Sequence, residues 1–157
     1  MERKSALIAK VLVGAAGGGI AIALMELLSA RTATPLMIIP FATSIVLVTG
    51  SPQLEAAQPR ALIGGHIVAT AIGLFVLEVG GAGPWAAALA VALAMVAMHL
   101  TRTFHPPAGI DPLLVVLNNM SWTFLIAPVA VGAILLALFA YLWHSFIGRQ
   151  SWPTRWW

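Results

Sequence analysis

The sequence predicts an all-α fold: a polytopic bundle of transmembrane helices, with four long spans and two short membrane segments broken by proline and glycine. Three observations lead there. First, 61% of the 157 residues are hydrophobic and 8% are charged. A water-soluble domain usually carries about 25% charged residues, so this chain has too few polar side chains to clothe a globule in water. Second, the mean hydropathy is +0.97. Third, the apolar residues fall into runs near the length of about 20 residues that a helix needs to cross roughly 30 Å of hydrocarbon. The chain reads as a single transmembrane domain over residues 1–157, closed by an interfacial tail at 148–157.

The first run, Ser5–Leu28, follows a basic start. Its apolar part from Val11 is longer than the roughly 7–15 residues of a cleavable signal, so it reads as a retained first helix. Gly14 and Gly18, interleaved with Ala15, Gly19 and Ala23, place small residues four apart, as do Gly65, Ala69 and Gly73 farther on. Small residues at that spacing let helices approach closely in lipid, where burial of apolar surface supplies no drive for association. Pro35–Gly50 comes next, short and interrupted by Pro40. Ala61–Val79 and Pro84–Leu100 are the second and third long spans. Pro106–Leu117 is the other short segment, interrupted by Gly109, Asp111 and Pro112, and Met120–Ile147 is the last long span. Short, broken apolar segments are the mark of half-helices or re-entrant elements.

Arg31-Thr32-Ala33-Thr34-Pro35 and Arg102-Thr103-Phe104-His105-Pro106 share an R-T-x-x-P pattern, each after a long helix and before a short broken run. That pattern suggests an internal duplication. If both short segments cross, the two halves are inverted and only Arg31 among the Lys/Arg lies on the outer side, as the positive-inside bias favours. If both are re-entrant, four helices span and Arg31, Arg60 and Arg102 face outward together. Under either scheme Arg60 and Arg102 share a side.

Eight Lys/Arg against five Asp/Glu make the chain basic, but the cations lie between or beyond the apolar runs, which speaks for topology and against nucleic-acid binding. With no cysteine, disulfides, thiolate metal sites and catalytic thiols are excluded. No hydrolase, zinc-protease or P-loop signature is present and the histidines lack a metal-ligand spacing, so neither an enzyme, a metal nor a cofactor is expected.

The ionisable residues gather in two knots. In TRTFHPPAGIDP, residues 101–112, Pro106-Pro107 can start a short helix after His105. Amides at Ala108, Gly109 and Ile110 would then face an anion, with Arg102 and His105 beside them. Thr34-Pro35 would build a second such start. The alternative is a plain turn with Arg102 reaching to headgroups. In SPQLEAAQPRALIGGH, residues 51–66, His66 lies about 8 Å along a helix from Arg60, and an ionisable residue at such depth is a functional candidate. Asp111 is a candidate coupling residue that would pair with Arg102 or Arg60, or cap a helix. His99 and His144 read as structural. SWPTRWW is an aromatic and basic interface anchor.

The combination of AQPR at 57–60, IGGH at 63–66 and HPPAG at 105–109 resembles the HPP family of small integral membrane proteins, over roughly residues 5–147. The resemblance implies four transmembrane helices and, from plant chloroplast and cyanobacterial relatives, nitrite transport. It carries over to Gln58, Pro59, Arg60, Gly64, Gly65, His66, His105, Pro106, Pro107, Ala108 and Gly109. The sequence departs from the expected pattern at Gln53-Leu54-Glu55 and at Asp111, whose carboxylate points toward proton coupling or another solute. The expected function is a transporter or channel for a small, nitrite-like inorganic anion, homo-oligomeric, in a bacterial inner membrane. Its substrate-binding residues would be Arg60, His66, Arg102, His105, Pro106, Pro107, Ala108 and Gly109. A membrane-embedded scaffold or sensor subunit without flux is the alternative.

Overall fold

The computed structural model describes residues 2–32 and 39–156; the Thr34–Pro35 helix start lies outside them. Six α-helices and no strand occur among the described residues. They are α1 (Glu2–Thr32), α2 (Ile39–Gly50), α3 (Pro59–Gly80), α4 (Pro84–Leu100), α5 (Asp111–Leu117) and α6 (Val131–Leu142). A 3₁₀ turn, Pro106–Ile110, leads into α5, and π-helical turns at Leu125–Ala130 and Trp143–Gly148 extend α6 at both ends. Lys4–Arg31, Pro59–Gly80 and Leu125–Gly148 are long and apolar enough to cross a membrane. The 17 residues of α4 reach about 25 Å, the lower end of the spanning range.

Local chemistry explains the boundaries. Pro59 and Pro84 open α3 and α4 at a position where no backbone N–H is needed. The last span does not begin at Met120 as the sequence suggested. Asn119 takes a left-handed φ of 50°, a conformation asparagine tolerates, and turns the chain until the helix starts at Leu125. Pro128, lacking an N–H, then leaves a kink at Ala127.

Contacts fix the direction of every helix. Gly14 of α1 meets Thr49 and Gly50 of α2, while Gly18 meets Ile45, so these two run antiparallel. Residues 103–117 run beside α3 in the same direction: Gly64 and Gly65 meet Thr103 and His105, and Gly73 meets Pro112 and Val115. Farther on, the Trp122 indole N–H donates to Glu78 Oε1, in the last turn of α3, at 2.7 Å. Between them α4 returns, from Ala87 and Ala90 packed on Val76 back to Thr101, whose carbonyl accepts from Arg60 Nη2 at 2.8 Å. The last helix also returns, and beyond it the Thr154 amide donates to Gln58 Oε1 at 2.9 Å.

Six helices therefore alternate in direction. The short segment at 106–117 progresses along the whole of α3 instead of doubling back. Lys10, Arg60, Arg102, Arg149 and Arg155 fall toward one face, with Arg31 at the far end of α1. This is the arrangement the positive-inside bias favours, with halves of opposite orientation. The tail expected as an interface anchor folds back in part: Trp152 is buried in the core with Phe41, Ile45, Leu62 and Leu136.

The alternation predicts a labelling pattern, easily read because the chain has no native cysteine. Single cysteines at Glu55 and Asn119 should react with a membrane-impermeant thiol reagent from opposite sides, with Ala82 sharing the side of Asn119. Labelling of 55 and 119 from the same side would instead establish a re-entrant 106–117 segment.

Candidate functional site

The segments that alternate most closely at the centre bring five polar side chains together: Ser44 on α2, His66 and Thr70 on α3, and His105 and Asp111 from the opposing segment. All five are fully buried. In an apolar bundle such groups persist only when they satisfy one another, since an unmet polar group costs on the order of 1–3 kcal/mol.

Glycine makes the meeting geometrically feasible. A Cβ on Gly65 would lie 2.6 Å from His105 Cβ and 2.8 Å from the Thr103 carbonyl oxygen, and one on Gly64 would lie 2.5 Å from Thr103 Cγ2. The two glycines of IGGH are thus the surface on which the residues before PPAG lie. The motifs are remote in sequence and adjacent in space.

The hydrogen bonds form one chain. His66 Nδ1 and Asp111 Oδ2 are 2.8 Å apart, the one contact at salt-bridge distance among the described residues. Thr70 Oγ1 donates to the same carboxylate oxygen at 3.3 Å. His66 Nε2 and His105 Nε2 each lie 2.8 Å from Ser44 Oγ, and the two rings are 5.1 Å apart. His105 Nδ1 donates to the Ala56 carbonyl at 2.6 Å. That carbonyl is available because Pro59, three residues on, has no N–H to give it. Phe41 covers the outer side of His66, with ring centroids 4.6 Å apart. The other carboxylate oxygen, Asp111 Oδ1, is buried without a hydrogen-bond partner.

At the Ala56 end, two pockets open on the arginine face. One of about 150 Å³ is lined by Glu55, Gln58, Arg60, Arg102 and Arg155. A neighbour of about 380 Å³ shares Glu55 and Arg102 and adds Ala56, His99 and Phe104. Gln58 shapes this mouth: its Nε2 donates to the Pro52 and Leu54 carbonyls, while its Oε1 holds the tail at Thr154. Arg60 is anchored on the Thr101 carbonyl. Arg102 is exposed at the end of a turn, with φ at 55°.

The expected site residues thus divide into two groups. His66, His105 and Asp111 come together in the interior, and Arg60 and Arg102 line the mouth. Asp111 pairs with His66, not with either arginine, and makes no helix cap. Pro106, Pro107, Ala108 and Gly109 form the 3₁₀ turn that carries His105 into position. The Ala108 amide is already bonded to the His105 carbonyl at 3.0 Å, so it is not free to hold an anion. Ser44 and Thr70 were not singled out by sequence. The available signal was spacing: Ser44 is a hydroxyl in a short apolar segment, and Thr70 lies one helical turn beyond His66. His144 bonds the Val48 carbonyl at 2.8 Å and His99 stacks on Phe104 at 4.1 Å, as structural roles require. No group of three or more His, Cys, Asp or Glu able to hold a metal is present among the described residues.

The family model described as "HPP, transmembrane region" matches residues 3–153. Two proteins of Dictyostelium discoideum, both described as transmembrane proteins, are 36% and 33% identical over 125 residues, each match covering 74% of this chain. The matched region spans 40% and 44% of those relatives' own lengths. No solved structure matches.

The glycine contacts yield a paired prediction. Gly65→Ala should force His105 and Thr103 apart and lower stability by about 1–3 kcal/mol, the usual cost of overpacking. Gly19→Ala, which meets nothing within 4 Å, should be neutral or slightly stabilising. Thermal unfolding of the two variants in detergent checks the difference.

Proposed function

This chain belongs to the HPP transmembrane family, and from that premise we propose that it carries a small, nitrite-like inorganic anion across the membrane. The observation that carries the reading is one juxtaposition: a pocket with three arginines shares Glu55 and Arg102 with a neighbour lined by Ala56, and the Ala56 carbonyl is the first acceptor of the buried His105–Ser44–His66–Asp111 chain.

Each part has a physical role in that reading. Arg60, Arg102 and Arg155 offset the single carboxylate of Glu55 and leave the mouth electropositive, which concentrates anions there. Arg60 is anchored on the Thr101 carbonyl, while Arg102, exposed, is positioned to meet a solute. The small pocket volume suits a compact ion better than an organic acid. A solute held only by partly hydrated guanidinium groups leaves readily, as transport requires. Capture therefore rests on side chains and not on amides of the 3₁₀ turn, whose first donor is occupied. The reading makes the protein a transporter and not a catalyst. A homo-oligomer in a bacterial plasma membrane is carried within the same proposal. α1, the least buried of the three long spans, is the helix left to face lipid or a second copy.

Purified protein in liposomes should pass nitrite. Arg102→Ala should raise the half-saturating concentration roughly ten- to a hundredfold, the loss of one charge-assisted contact, whereas Arg31→Ala on the opposite face should not. Absence of flux for nitrite, nitrate, formate and chloride alike overturns the proposal.

A further inference from the structure

Counting hydrogens along the buried chain leads beyond anion capture. Ala56 offers only a carbonyl, so His105 Nδ1 must carry a hydrogen. With Asp111 ionised, His66 Nδ1 must carry one as well. In neutral imidazoles both Nε2 atoms are then bare, and both face Ser44 Oγ at 2.8 Å. Ser44 has one hydrogen, and the Pro40 carbonyl at 2.8 Å is a third acceptor. At least one of the two His–Ser contacts would therefore set lone pair against lone pair.

One additional proton gives both His–Ser contacts a hydrogen and leaves the Pro40 carbonyl to Thr43 Oγ1, which donates to it at 2.9 Å. If it sits on His66, that ring donates to Ser44 and Ser44 donates to His105. If it sits on His105, the order reverses. The group as a whole is then neutral, with one imidazolium against one carboxylate. That is also the state a low-dielectric interior favours, because an isolated charge there is expensive.

We propose that this chain is a binding site for one exchangeable proton and that the proton crosses together with the anion, one for one. The inference rests on the anion-transport reading for its partner ion, and on geometry for the proton. Transfer is balanced within the chain: the His66 Nε2–H bond breaks as a hydrogen forms on Ser44 Oγ, while the original Ser44 O–H breaks and its proton bonds to His105 Nε2. The positive charge moves from the Asp111 end to the Ala56 end, and no other reactant is consumed.

The surroundings give the movement a direction. On one side His66 faces Asp111, whose carboxylate also accepts from Thr70, so the proton rests beside the carboxylate. α2 contributes Ser44 and the Phe41 ring and no titratable group in contact. Toward the mouth, the nearest charged or titratable groups are Glu55, His99, Arg60, Arg102 and Arg155. An anion arriving among those arginines adds negative charge next to Ala56, drawing the proton across Ser44 to His105. As the anion leaves the mouth inward the transfer runs back to His66, and the partnerless Asp111 Oδ1, buried at that end, is the acceptor through which the proton follows it.

Proteoliposomes loaded with a pH dye and given an inward nitrite gradient test the stoichiometry. The lumen should acidify by one proton per nitrite above the leak of protein-free vesicles, and clamping the membrane potential should not alter the rate. In Ser44→Ala the ratio of proton to nitrite flux should fall on the order of a hundredfold, the usual cost of losing a positioned proton-transfer group. Nitrite flux without protons and driven by the potential overturns the inference while leaving the transport reading in place, and so does an unchanged ratio in Ser44→Ala. If wild type passes no anion, or Ser44→Ala does not assemble, ¹⁵N-histidine NMR of the wild-type protein in detergent decides the proton site alone. One imidazolium shared by His66 and His105 near neutral pH upholds it, and two imidazoles both bare at Nε2 overturn it.

Discussion

A single hydroxyl holds the centre of this protein together. Ser44 Oγ lies within hydrogen-bond distance of His66 on α3 and of His105 on the segment that precedes α5, and so ties three separate stretches of chain at one point. In water such a knot would add little, because each partner could bond solvent instead. Within an apolar bundle the alternatives are absent, and the register of α2 against α3 and of 103–111 against both follows from satisfying these groups. The glycines of α3 are the sterically complementary half of that constraint. They remove bulk where the polar residues must approach.

Proline supplies the acceptors that histidine uses. Val48, in the last turn of α2, stands four residues before Pro52, and Ala56 stands three residues before Pro59, so each carbonyl loses a backbone donor it would otherwise have had. His144 takes the first and His105 the second. Two breaks in the helical ladder thus become two fixed points for imidazoles arriving from distant parts of the chain. Buried side-chain hydrogen bonds here compensate for local chain chemistry as much as they build a site.

How much of this could be read from the sequence depends on the length scale of the interaction. Three of the four long apolar runs, the helix starts at Pro59 and Pro84 and the close packing of Gly14 and Gly18 follow from composition and spacing, and the structure has them, while the fourth run, Pro84–Leu100, forms a shorter helix of 17 residues. The HPPAG and IGGH motifs pointed to His66 and His105 without saying that each glycine of the one receives a residue leading into the other. Ser44 and Thr70 went unnoticed because a lone hydroxyl in an apolar helix has no local signature; only a partner far along the chain gives it meaning. The same limit explains Asp111. Sequence offered it two arginines as partners, yet both stay at the membrane face while the carboxylate lies a helical turn or more deeper, beside His66. The start of the last span was misplaced because Asn119 adopts a backbone conformation that hydropathy does not register.

The distribution of guanidinium groups makes the two membrane surfaces electrically unlike. One presents Arg60, Arg102 and Arg155 around a concavity, while the other shows Glu78 hydrogen-bonded to Trp122 and Arg31 at the end of α1. Field lines from such an arrangement do not treat the compartments as equivalent reservoirs. If the chain passes anions as proposed, a negatively charged species would be enriched at the arginine-bearing side and not at the other, so even a chemically reversible passage would fill from its two sides at unequal concentrations. Ionic strength would then shift apparent affinity on the arginine-bearing side far more than on the other, giving the molecule a vectorial character that its helices, nearly matched in opposite directions, do not by themselves impose.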